Sequence, residues 1–206
     1  MAENRRVRIK SEETFSEIIC IIDRSGSMGL IANDAIGGFN TFLKEQKELP
    51  GKATLTFVQF DTEYEVVHEN KPIQDVPILD SKIYQPRGGT ALLDAIGKTI
   101  NDTKRRLLNT PEESRPDKVI VAILTDGEEN SSKKYSLSEI EKKISLQKEK
   151  HKWEFIYLGA NQDAFAEAAK LGIAAKDSFN YMATGIGIRH AFSEDMGTLI
   201  SSYRTK

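Results

Sequence analysis

The sequence predicts an α/β fold in which a mainly parallel β-sheet is covered by helices on both faces. Three runs rich in β-branched and aromatic residues, 17–23, 118–126 and 153–159, are almost continuously apolar, the pattern of strands buried on both sides. The segments between them carry apolar residues at a helical period, and strands alternating with helices form parallel sheets joined by crossovers. A further run, 53–60, alternates through Leu55, Phe57 and Phe60 and leads, after Asp61-Thr62, into the more polar 63–68. That spacing predicts a tight hairpin onto an antiparallel edge strand.

The first helix follows the first strand: Ile31, Ala35, Ile36, Phe39, Phe42 and Leu43 fall on one face, and Pro50-Gly51 ends it. Segment 70–87 holds three of the six prolines and is expected to be an irregular stretch that carries function or a short helical turn. Leu92, Leu93, Ile96, Ile100 and Leu107 mark a second helix that opens directly after Gly88-Gly89-Thr90. Ser136 and Glu139 have the capping-box spacing ahead of a third, with Leu137, Ile140 and Ile144 facing inward. An Ala-rich fourth helix covers 163–171 and stops at Gly172. Weak strand character returns at 178–181, and a fifth helix is expected over 186–202.

With 206 residues, at about 100–200 residues per domain, the chain is expected to be one domain. Its core spans about 17–204, after a charged N-terminal arm at 1–16. Lys and Arg number 29 against 31 Asp and Glu, a net charge of −2. This balance gives no global attraction to a phosphate backbone or an anionic bilayer, so no nucleic-acid or membrane partner is expected. The lone Cys20 cannot form an internal disulfide, and it lies in the apolar run 18–22, where a small buried hydrophobe fits better than a nucleophile. That run is too short for a signal-peptide core or a membrane span, which makes a cytoplasmic location the expectation.

Ligands of open parallel sheets bind beyond the carboxyl ends of the strands, where the strand order reverses. The first strand ends in Asp23-Arg24-Ser25-Gly26-Ser27-Met28 and a later one in Thr125-Asp126-Gly127-Glu128-Glu129-Asn130, so each delivers a carboxylate there. Thr90 adds a hydroxyl at a helix start. In a right-handed doubly wound sheet these loops converge, gathering Asp23, Ser25, Ser27, Thr90 and Asp126. All five offer hard oxygen and none offers imidazole or thiolate, which suits Mg²⁺, Mn²⁺ or Ca²⁺ and disfavours zinc. When one Asp acts only through water, the ion keeps net positive charge and takes a further carboxylate from outside. Each residue alone also has a plainer role: Asp and Ser after a strand form turns and caps, and Thr90 fits a helix N-cap. Arg24 and Arg87 flank the site as surface charges, Asp163 fits a helix cap, and Asn161 ends a neighbouring strand.

The set Asp23-x-Ser25-x-Ser27, Thr90 and Asp126 resembles the metal-ion-dependent adhesion site of the von Willebrand factor A domain family, in order and in the elements that carry it. The resemblance covers most of the chain and is nearest to stand-alone prokaryotic intracellular members. It implies a six-stranded, doubly wound Rossmann-like sheet of order 3-2-1-4-5-6 with the third strand antiparallel. It also implies that Ser25, Ser27 and Thr90 bind Mg²⁺ or Mn²⁺ (Ca²⁺ as a further option) by hydroxyl, with Asp23 and Asp126 acting directly or through water. A partner protein's Asp or Glu then fills the last position, making the chain a binding module and not an enzyme.

Two other functions compete. A Mg²⁺-dependent phosphohydrolase of the haloacid-dehalogenase type needs a second carboxylate two residues after the first, and Ser25 stands there. A protein-binding domain working without metal leaves the five oxygen donors unexplained. Gly97-Lys98-Thr99 ends like a phosphate-binding loop, but the required first glycine is Leu92; Gly185-Ile186-Gly187 opens a dinucleotide fingerprint whose third glycine is His190. His68, His151 and His190 lie on different elements, which supports neither a zinc site nor a catalytic triad.

Overall fold

Successive side chains of a strand point to opposite faces, and in β1 (Phe15–Asp23) both faces are apolar. The structure is a computed structural model and describes residues 14–160 and 163–205. After β1 come a 3-10 turn (Gly26–Ile31), α1 (Ala32–Glu48), β2 (Lys52–Phe60) and β3 (Tyr64–Pro72). Then follow α2 (Leu92–Asn109), β4 (Lys118–Thr125), α3 (Leu137–His151) and β5 (Glu154–Ala160). The chain closes with α4 (Ala164–Lys170), β6 (Ser178–Tyr181), α5 (Gly185–His190), a π-helical segment (Ala191–Gly197) and α6 (Thr198–Thr205). The sheet has the order β3-β2-β1-β4-β5-β6. All pairs are parallel except β2 with β3.

Alternate residues of the central strands divide the core in two. Ile18, Cys20 and Ile22 of β1 pack with Ile120, Ala122 and Leu124 of β4 toward α1 and the C-terminal helices. Ile19 and Ile21 pack with Val121 and Ile123 toward α2, α3 and α4. Cys20 is a free, fully buried thiol that burial pushes up to about 12, which leaves it inert.

Several expectations need correction. The alternation read in 53–60 does not mark an exposed face: the segment is buried throughout, because β1 and β3 flank it and helices cover both sides. β3 extends through Pro72 into the stretch expected to be irregular, and a 3-10 turn at Ile73–Asp75 follows it. Phe15 and Ser16, assigned to the charged arm, belong to β1; 1–13 and Asn161 lie outside the described residues. Leu137 is exposed because it starts α3 ahead of the turn that reaches the sheet. The capping box of Ser136 and Glu139 is present as predicted, and Asp163 caps α4 by accepting from the Ala166 amide. The last helix carries seven π-helical residues that periodicity did not reveal. Among the described residues, no helix is long and apolar enough to cross a membrane.

Candidate metal centre

Parallel pairing of β1 with β4 brings Asp23 and Thr125 side by side at the carboxyl edge of the sheet. The Thr125 hydroxyl donates to Asp23 Oδ2 at 2.6 Å, and the Ser25 amide donates to Oδ1 at 2.6 Å. Ser25 Oγ lies 3.1 Å from Ser27 Oγ, which donates to Asp126 Oδ1 at 2.7 Å. Thr90 faces the same place from the third loop. A Cβ built on Gly127 would meet Thr90 Oγ1 at 3.4 Å and Ser27 Oγ at 3.8 Å. All five predicted residues are therefore gathered at the strand ends.

Thr90 is not the N-cap of α2. Ala91 holds that position without a side-chain bond. The first amides of the helix are met instead from the loop after β4: Leu93 donates to Glu129 Oε2 at 2.9 Å and Asp94 to Ser132 Oγ at 3.0 Å. Thr90 is clamped on both sides of its backbone, its amide donating to Asn130 Oδ1 at 2.9 Å and its carbonyl accepting from the Asn130 amide at 3.1 Å. Gly89 lets these loops close, since a Cβ there would come within 2.4 Å of Ser131 Oγ. The Thr90 hydroxyl itself has no hydrogen-bond partner among the described residues.

Asp23 is fully buried and Asp126 is 7% exposed, and neither has a cationic partner among the described residues. Burial pushes the Asp23 carboxyl up to about 6 against the hydrogen bonds from Thr125 and Ser25, with the charge of Asp126 adding to the rise. Burial also raises Asp126, against the bond from Ser27. Two buried carboxylates without a counter-charge, next to a free hydroxyl, fit a cation. Among the described residues no three His, Cys, Asp or Glu side chains gather as a metal cage; the donors brought together here are two carboxylates and three hydroxyls.

Arg24 is not a surface charge. It is buried, its Nε donating to Asp61 Oδ2 at 2.9 Å and its Nη1 to Glu65 at 2.6 Å. Arg87 Nε reaches the same Asp61 oxygen at 2.9 Å from the exposed side. Asp61, at the hairpin end of β2, thus ties the Asp23 loop to the loop before Thr90. Burial works to raise its carboxyl, but hydrogen bonds from Arg87 and the Glu63 amide and the nearby Arg24 charge hold it below the usual range. Tyr84 adds a second strut, its hydroxyl donating to the Asp23 carbonyl. Sequence patterning flagged neither residue. The only available signal was the placement of Asp61 at a strand's end beside the hairpin turn.

The model of the von Willebrand factor type A domain matches residues 17–200. Comparison with curated protein sequences gives no significant match. Among solved structures, proximal thread matrix protein 1 from the mussel byssus superposes with a TM-score of 0.65 at 16% identity, covering 90% of this chain and 46% of that one. A form of that protein described as having a zinc-occupied MIDAS motif, the metal-ion-dependent adhesion site, gives 0.60 at 18% identity over 92% and 46%. The von Willebrand factor domain of a type V pili tip protein from Porphyromonas gingivalis gives 0.67 at 12% identity over 95% and 98%. The present chain thus spans just under half the length of the mussel protein.

Proposed function

The chain belongs to the von Willebrand factor type A domain family, whose members generally mediate protein interactions, and from this premise we propose that it is a divalent-metal-dependent protein-binding module. Asp23, Ser25, Ser27, Thr90 and Asp126 hold Mg²⁺ or Mn²⁺, and a partner's Asp or Glu side chain completes the shell. The observation that supports this best is the pair of buried, uncompensated carboxylates beside the unpartnered Thr90 hydroxyl. Bound there, the ion would supply positive charge for an incoming carboxylate. The protein's own residues fix the donors: Thr125 and the Ser25 amide orient Asp23, and Asn130 orients Thr90. In this proposal the whole chain acts as one domain, in the cytoplasm.

The test is a melting curve with Mg²⁺, Mn²⁺, Ca²⁺ or chelator, with Zn²⁺ added because of the mussel structure. A low-charge site has a Kd of about 10⁻⁴–10⁻³ M. At ten times Kd, linkage gives about 1.4 kcal/mol and a melting shift of about 3–6 °C. Asp126→Ala should abolish the shift. A wild-type curve unmoved by 10 mM Mg²⁺ and Mn²⁺ (roughly ten times the upper Kd) would count against the proposal.

No hydrolytic activity is expected, because Ser25 stands where a phosphohydrolase needs its acid and a hydroxyl does not protonate a leaving group at neutral pH. Phosphomonoester turnover with Mg²⁺ that disappears in Asp23→Asn would overturn the binding-module proposal.

A further inference from the structure

A cleft of about 990 Å³ runs along α2 from Ala91, the residue after Thr90, walled on one side by the β2–β3 turn and on the other by 130–135; the five candidate metal-binding residues do not themselves line it. Its upper end is the centre's own scaffold. Thr62 lies against Gly88, and Asn130 and Ser131 lie against Gly89, the two residues before Thr90. On its floor it follows α2 from Ala91 to Arg105. At about 1.5 Å per residue this is about 21 Å, the reach of roughly six residues of extended chain. The volume sits at the top of the range for small-molecule pockets, about 300–1,000 Å³.

The charges in the cleft are unevenly spent. Asp94 accepts the amides of Lys133, Lys134 and Tyr135 at 2.9, 2.9 and 3.0 Å. Asp102 pairs with Lys98 at 2.6 Å and with Arg105, and Glu63 pairs with Arg87 at 2.6 Å. Every acidic side chain lining the cleft is thus engaged. The ammonium groups of Lys133 and Lys134 are less fully spent: both residues are exposed and neither forms a close ion pair among the described residues, although, against burial, the Lys134 charge helps to hold the Asp94 carboxyl low. Their amides sit on Asp94, four residues after Thr90 and so no more than about 14 Å from it, the reach of at most about four residues of extended chain.

We infer that this cleft receives an extended segment of the partner protein, whose first acidic side chain goes to the metal centre and whose second, two to four residues along, meets Lys133 and Lys134. The inference rests on the metal-site proposal above and adds to it the form and charge pattern of the ligand. Tyr64 and Tyr135, half-buried on opposite walls, lie farther along α2, beside Thr99 and Gly97, and offer apolar surface to the segment beyond the second acid.

A random peptide library selected on the full chain in Mg²⁺, and again in chelator, tests this. The expected outcome is a Mg²⁺-dependent Asp or Glu anchor with a second acid enriched two to four positions away. In Lys133→Glu/Lys134→Glu the anchor should persist while the second position switches to Lys or Arg. A peptide selected on wild type should bind that variant roughly 3- to 30-fold more weakly, the scale of two exposed charge contacts. The variant should keep the wild-type melting temperature and metal-induced shift, which excludes a folding defect. An anchor whose flanking positions ignore the charge reversal overturns the cleft assignment alone. Absence of any metal-dependent acidic anchor overturns the metal-site proposal and this inference with it.

Discussion

Asp61→Ala is expected to lower the melting temperature by about 6–20 °C. The Asp61 carboxylate is 1% exposed and accepts from Arg24 Nε, Arg87 Nε and the Glu63 amide. Its removal strands the Arg24 guanidinium, 5% exposed, with only Glu65 as partner and with an Nη2 that already lacks a hydrogen bond. Breaking one side of a buried pair costs about 3–5 kcal/mol, and a domain of this size melts about 2–4 °C lower for each. Arg87→Ala should cost no more than about 1 kcal/mol, since Arg87 is 55% exposed. Arg24→Met added to Asp61→Ala should recover most of the loss by removing the stranded charge. The pH dependence has a definite sign. A carboxyl held below its unfolded value contributes stability that is complete above about 3.8 and is lost as the pH falls through the folded value. The mutant should lack that part of the acid limb. A drop of less than 2 °C by calorimetry (under about 1 kcal/mol) would mean that Asp61 does not hold the two loops.

The two-sided covering of the sheet and the antiparallel edge were legible because their causes are local, whereas the strand order came only as what the family resemblance implies. The apolar runs of β1, β4 and β5 leave no polar face for solvent, so a sheet covered on both sides is forced, and the short step at Asp61-Thr62 permits only a hairpin. The grouping of Asp23, Ser25, Ser27, Thr90 and Asp126 was legible because four stand at or just after strand ends and Thr90 comes shortly before a helix, where backbone topology alone fixes position. Illegible were the contacts set by residues distant in sequence. Arg24 reads as exposed from its polar neighbours, yet Asp61 and Glu65 enclose it from β2 and β3. Thr90 reads as a cap, yet Glu129 and Ser132 supply the caps from 36 and 38 positions away. Gly97 looks like part of a phosphate loop, whereas the ring of Tyr135 lies where its Cβ would be, within 2.6 Å.

Chelation should weaken binding of an acidic partner by about 2–5 kcal/mol, or roughly 30- to 5,000-fold, and that loss should not add to the loss from removing the partner's acid. The size follows from charge: an ion held by Asp23, Asp126 and three neutral hydroxyls depends on an outside carboxylate, and each is the other's counter-charge in a contact partly withdrawn from water. Once one is gone, the other has nothing left to lose. The site's own electrostatics point the same way: burial raises both Asp23 and Asp126, neither has an ion-pair partner among the described residues, and without metal their negative charge opposes a third carboxylate. Calorimetry on the wild type and on Thr90→Ala, each with a selected acidic peptide and with its anchor changed to Ala, in Mg²⁺ and in chelator, completes the cycle. Thr90→Ala removes a hydroxyl that has no other partner among the described residues, so its effect reports on the ion and not on the fold. Coupling close to the full single loss is expected between metal and anchor. Losses that simply add would place the anchor elsewhere on the surface, away from the ion's coordination shell.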